Sequence, residues 1–186
     1  MNYDEIKKDA NARMDKAVKH LQEQLRAVRT GQASPALVEN MRVDYYGTPT
    51  PISQLASIGA PEPRQLTIKP FDLSVLGEIE KTIQKSDLGI NPSSDGKVLR
   101  LMLPQLSGEQ RSKYAAKVKE MCEEGRIAMR NTRRDLNKAA DAAKKEGELG
   151  EDDNKRLHDE IQALLKEYEA KIDSVQEKKT TEIMSV

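Results

Sequence analysis

The chain has 186 residues, room for one large or two small domains, with 33% charged and 37% hydrophobic residues, no tryptophan and a single phenylalanine. That balance excludes an ordinary aromatic core and suits long amphipathic helices, while a formal net charge of zero argues against indiscriminate binding of polyanions. No run approaches the ~20 apolar residues that span a bilayer, and the opening MNYDEIKKDANARM lacks the apolar core of a secretory signal, so a soluble, cytoplasmic protein with no membrane association is expected.

All eight prolines fall between Pro35 and Pro104, leaving a proline-free arm on each side. In the first arm, apolar residues recur at Ile6, Ala10, Met14, Ala17, Leu21, Leu25 and Val28. Steps of three and four place them on one face of a helix running from Asp4 to Arg29, roughly 39 Å long at helical rise.

Residues 31 to 104 are written in another style. Met41, Val43 and Tyr45 alternate with Arg42, Asp44 and Tyr46, as in a half-buried strand, before the turn-rich Gly47–Pro51. Short apolar runs at Ile52–Ile58, Leu66–Ile68 and Val98–Leu103 predict further strands, and Ser74–Lys85 a short helix with Leu76, Ile79 and Ile83 inward. The segment reads as a small inserted α/β domain. Gly89–Lys97 glances at a phosphate loop but has six residues between its glycines and Val98 where a magnesium-binding hydroxyl is needed; it is read as a turn.

After Pro104, Ser107 and Gln110 have the spacing of a capping box that would start a second long helix, with Gly147 as its terminator. Its predicted stripe is Tyr114, Val118, Met121, Ala128, Leu136, Ala139 and Ala143. The acidic cluster Glu151, Asp152 and Asp153 suits the positive end of a third helix, whose stripe is Leu157, Ile161, Leu164, Tyr168, Ile172 and Val175. Three such stripes close on one another, so residues 1–30 and 105–186 are expected to form one three-helix bundle and residues 31–104 the insert. The fold class is α+β. The two connections, at Thr30 and Gly31 and at Pro104, Gln105 and Leu106, must lie side by side; they read as a hinge, or as a rigid corner made of the same residues.

Catalytic signatures are absent. His20, His158 and the lone Cys122 have no ligand-like spacing, so neither a metal nor a cofactor is expected, and Cys122 reads as an inert packed thiol. The charge is unevenly spread: residues 111–134 hold eight Lys/Arg against three Asp/Glu, whereas residues 146–186 hold six against twelve. At 100° per residue, Lys119, Arg126, Arg130 and Arg133 fall within about 60° of one another, with Arg111 about 60° from Arg126. Few acids sit four residues away to pair with this row. It is either a solvated charged face or a phosphate-binding one; arginine's planar fork grips phosphates and stacks on bases, which favours a folded RNA surface. A scaffold whose stripes capture partner helices is the alternative from another class.

The motifs RTGQASP, VDYYGTPTPISQLASI, SDLGINPSSDGK and RNTRRDLNK followed by GEDD closely resemble, in order and over essentially the whole chain, those of bacterial ribosome recycling factors. The resemblance implies an L-shaped monomer of three-helix bundle and small β/α/β domain that hydrolyses nothing itself. It implies binding to the post-termination ribosome, with the bundle on large-subunit ribosomal RNA near the peptidyl-transferase centre and the inter-subunit bridges. Elongation factor G and GTP would then split the subunits and free messenger and deacylated transfer RNA. Carried over by position, the main RNA contact falls on Arg133, with Arg130 a turn before it; Arg29, Thr30 and Gly31 match the helix-end motif and Arg111 a basic position at the start of the long helix. Gln32 and Gln110 stand where the family commonly carries arginine, which implies weaker or more salt-tolerant binding.

Overall fold

A computed structural model describes residues 2–185. In chain order the elements are α1 (Tyr3–Arg26), β1 (Arg42–Tyr45), β2 (Thr48–Pro51), α2 (Ile52–Leu55), β3 (Ala56–Glu62), β4 (Gln65–Pro70), α3 (Leu76–Gln84), β5 (Ser93–Ser94), β6 (Leu99–Met102), α4 (Gly108–Lys145) and α5 (Glu151–Met184). The chain adopts the α+β class expected of it. By its internal contacts it divides into two compact units, one made of the chain up to Leu25 together with Lys113–Ser185, the other of Arg26–Ser112.

Local chemistry fixes where the long helices begin and end. Before α1, Asn2 N–H donates to Glu5 Oε2 and Glu5 N–H donates to Asn2 Oδ1, both at 2.9 Å, which satisfies amides that the first turn leaves open. The capping box predicted for α4 forms: Ser107 N–H donates to Gln110 Oε1 at 3.0 Å and Gln110 N–H to Ser107 Oγ at 3.2 Å. At the other end Gly147 takes a φ of +76°, a left-handed turn that only glycine makes without steric cost. This lets Glu148 N–H return to the Ala143 carbonyl at 2.9 Å.

In the first unit each of the three helices buries one stripe. That of α1 is Ile6, Ala10, Met14, Val18, Leu21 and Leu25, with Val18 in place of the expected Ala17. In α4 it is Val118, Cys122, Met129, Thr132, Leu136, Ala140 and Ala143. The expected Met121 and Ala139 are only half-buried and Ala128 is exposed. The stripe is rotated by about one residue because Cys122 and Thr132, which an apolar count passes over, are buried. Thr132 tolerates this because its hydroxyl donates to the Ala128 carbonyl at 3.0 Å. In α5 Leu165 is buried and Leu164 half-buried, a one-residue exchange of the same kind. All three helices meet at Gly125, where a Cβ would stand 3.1 Å from Leu21 Cδ2 and 3.6 Å from Ile172 Cδ1. Burial also pushes the Cys122 thiol above its ordinary pKa, as expected of an inert residue.

The second unit is built on two sheets. β1 and β2 form an antiparallel hairpin turned by Tyr46 and Gly47, both at positive φ, the geometry that matches strand twist in a two-residue turn. The expected turn segment is therefore itself a strand, and its prolines sit in a two-stranded ribbon that leaves edges free for them. The expected strand Ile52–Ile58 splits into the helical turn α2 and the start of β3. The second sheet is antiparallel in the order β3-β4-β6-β5. Leu66, Ile68, Leu99 and Leu101 from its strands meet Ile79 and Ile83 of α3 and Val43 of β1 in one core. In the loop before β6, Asp95 Oδ1 accepts from Lys97 and Val98 N–H at 3.0 and 2.8 Å. Those amides are spent within the turn, so they cannot cradle a phosphate. Among the described residues no helix is long and apolar enough to cross a membrane.

Candidate nucleic-acid interface

The arginine row of α4 stands along its seam with α5, and the two helices run antiparallel. Lys144 pairs with Glu151 at 3.2 Å, Asp141 with His158 at 2.9 Å, Arg130 with Glu169 at 3.4 Å and Arg126 with Asp173. The acids that answer the row come from the neighbouring helix and from Glu123, so a search four residues away along the row's own helix does not find most of them. Their signal in the sequence was the acidic excess after residue 146.

Compensation falls off from Arg126 through Arg130 to Arg133. Arg126 is 17% exposed; its Nε and Nη2 both donate to Asp173 Oδ1, its Nη2 also to Gln176 Oε1 at 2.7 Å, and its Nη1 to Glu123 Oε2 at 3.3 Å. Burial works against its charge, but the Asp173 and Glu123 carboxylates outweigh burial and hold its pKa above the ordinary arginine range. Arg130, 46% exposed, makes only longer contacts, 3.3 Å to Glu123 Oε1 and 3.4 Å to Glu169 Oε1. Among the described residues Arg133 meets no carboxylate: its Nη1 donates to the neutral amide oxygen of Gln162 at 2.8 Å, and its Nε is buried without a partner. Arg134 beside it and Lys119 two turns before Arg126 are exposed. Among Arg126, Arg130 and Arg133, the guanidinium without a carboxylate partner is therefore that of Arg133. The open recess beside Arg126, lined by Asp173, Gln176, Glu177, Thr180 and Thr181, carries more acid than base and would repel a phosphate.

The other sequence-derived positions lie in the second unit and are differently occupied. Arg29 is 8% exposed, with Nη1 donating to the Leu88 carbonyl at 3.4 Å and Nη2 to the Pro104 carbonyl at 3.1 Å. Its guanidinium is used to tie the chain after α1 to the segment after β6. Gly31 has a φ of +86°, and a Cβ there would touch Leu106 at 3.8 Å, so the left-handed backbone, not crowding, is what asks for glycine. Thr30 and Leu106 are buried, while Pro104 and Gln105 are exposed. Gly31 and Leu106 thus lie close together inside the second unit, and Arg111, half-buried, belongs to the same unit. No group of three or more His, Cys, Asp or Glu among the described residues is placed to hold a metal ion.

Residues 21–184 match the family model described as ribosome recycling factor. The chain is 51% identical over 179 residues to the ribosome-recycling factor of Thermotoga petrophila, covering 96% of this chain and 97% of that one. It superposes on a solution structure of the ribosome recycling factor with a TM-score of 0.79, 36% identity and coverage of 100% and 99%. A second solved structure, of the Thermus thermophilus factor with Escherichia coli elongation factor G on the E. coli post-termination complex, matches with a TM-score of 0.70, 39% identity and full coverage of both chains.

Proposed function

The chain belongs to the ribosome recycling factor family, and on that premise we propose that it binds the post-termination ribosome. With elongation factor G and GTP it promotes separation of the subunits, releasing messenger and deacylated transfer RNA. The observation that carries this reading is collinear similarity over 96% of the chain at 51% identity, alongside a structural relative whose own description places it with elongation factor G on that complex. The protein acts in the cytoplasm, where those partners are, and supplies no hydrolysis of its own; the GTPase does. Purified protein should therefore show no nucleotide turnover above buffer.

Binding falls to the α4 face, with Arg133 as its principal phosphate contact, since among the described residues Arg133 alone of the three consecutive-turn arginines faces no acid. RNA recognised this way is read by shape and phosphate position, not base sequence. Bending of the chain is assigned to the paired connections at Thr30, Gly31, Pro104, Gln105 and Leu106, which lie within the second unit. A single residue at φ +86° beside the returning connection is where a change of backbone angle costs least.

The test is light scattering of post-termination ribosomes mixed with the protein, elongation factor G and GTP, together with co-sedimentation across a salt series. Scattering should fall only with all three present. Binding that ignores salt and survives nuclease would instead favour a scaffold that captures protein helices. Gly31→Val strains the left-handed backbone and should lower the unfolding midpoint; at a temperature where it stays folded it should still bind and split poorly, and normal splitting would remove the hinge assignment.

A further inference from the structure

Glu123 places one oxygen on each of two neighbouring members of the arginine row: Oε2 lies 3.3 Å from Arg126 Nη1 and Oε1 lies 3.3 Å from Arg130 Nη1. Arg126 does not need it, because Asp173 and Gln176 already hold that guanidinium. Arg130 does, having only Glu169 besides, at 3.4 Å. Both partners of the Glu123–Arg130 pair are about half exposed, 49% and 46%, so water and salt reach the pair and it exchanges readily. A phosphate offers the arginine fork two oxygens in parallel, whereas Glu123 offers it one and gives the other away.

We infer that Glu123 is a built-in competitor for phosphate, withholding Arg130 from RNA until a correctly placed backbone phosphate displaces its carboxylate. The inference rests on the reading that this face binds ribosomal RNA. The row then has three grades: Arg126 locked into the helix pair, Arg130 gated, and Arg133 open. A stray polyanion can occupy the open position but meets a carboxylate at the gated one. Only a surface that already docks at Arg133 and presents a second phosphate one helical turn away gains both contacts. Specificity of this kind comes from a repulsive element as much as from an attractive one.

Glu123→Gln keeps the shape and removes the competing charge. In co-sedimentation of the full-length protein with post-termination ribosomes at low salt, it should bind about two- to fivefold more tightly, the range a partly exposed ion pair commands. The salt slope should steepen by up to about one unit as Arg130 gains a phosphate. Glu124→Gln, one residue along the same helix, removes the same charge without touching Arg130 and should change binding little. In an Arg130→Ala background the gain from Glu123→Gln should vanish. A gain equal to that of Glu124→Gln, or one that persists without Arg130, overturns the competitor. If Arg133→Ala weakens binding and Glu123→Gln does nothing, the competitor falls and the RNA-binding face stands. If Arg133→Ala changes nothing either, the face itself was misassigned.

Discussion

Arg126 of α4 and Asp173 of α5 are joined by two hydrogen bonds from one guanidinium to a single carboxylate oxygen, in a place where the arginine is only 17% exposed. The pair couples the two helices, and Gln176 and Glu123 complete the shell around it. Arg126→Ala removes both the buried stem and the hydrogen bonds, which should cost about 1 to 2 kcal/mol in stability. Ribosome binding should hardly change. Urea unfolding and co-sedimentation on the same variant decide; a large loss of binding with intact stability would make Arg126 an RNA contact.

Arg133 should behave in the opposite way. Its partner is a neutral amide, so Arg133→Ala disturbs no ion pair, and its stability should fall by about 1 kcal/mol or less, the value of one hydrogen bond and a half-buried stem. Ribosome affinity should fall, and the slope of log affinity against log salt should drop by roughly one unit, the signature of one lost phosphate contact. An unchanged slope would return Arg133 to a solvated face.

Leu164 and Leu165 separate the helical register actually formed from its nearest alternative. Leu165 is 3% exposed and Leu164 is half-buried. Leu165→Ala should cost about 2 to 5 kcal/mol by the transfer and cavity terms of a buried leucine. Leu164→Ala should cost about half as much or less, because water already reaches the site. Equal losses in denaturant unfolding would contradict the register.

Asp141 accepts from His158 Nε2 at 2.9 Å and from Asn154 Nδ2 at 3.3 Å, and those hydrogen bonds, that of His158 first, hold its carboxyl below the usual range. A depressed carboxylate stabilises the fold above its ordinary pKa of about 4 and loses that contribution as pH falls through the lower folded value. Asp141→Asn should therefore be less stable than the parent at neutral pH, and the gap should close in acid. A gap that is constant from neutral pH to pH ~2 would show that the ionised carboxylate contributes nothing.

Much of the architecture was legible in the sequence. The proline-free arms, the capping box at Ser107 and Gln110, the terminating Gly147 and the acidic start of α5 are local signals, because a helix end needs partners within four residues for its open amides and carbonyls. The recycling-factor motifs likewise sit in order along the chain. Less legible were the residues at which burial depends on a satisfied hydroxyl, such as Thr132, or on a neighbouring helix, such as Leu165 against Leu164. Strand β2 was not legible either, since Thr48–Pro51 carries the composition of a loop.

Sequence alone determined that α4 carries a row of cations and that acids are in excess after residue 146, since both facts are matters of composition and of the 100° helical step. Tertiary structure alone decided which cation meets which acid. Hydrogen bonds and close ion pairs need atoms within about 3 to 4 Å, and the antiparallel docking of α4 on α5 brings Asp173 to Arg126 and Glu169 to Arg130 but only Gln162 to Arg133. The charge left over at Arg133 is a property of that docking.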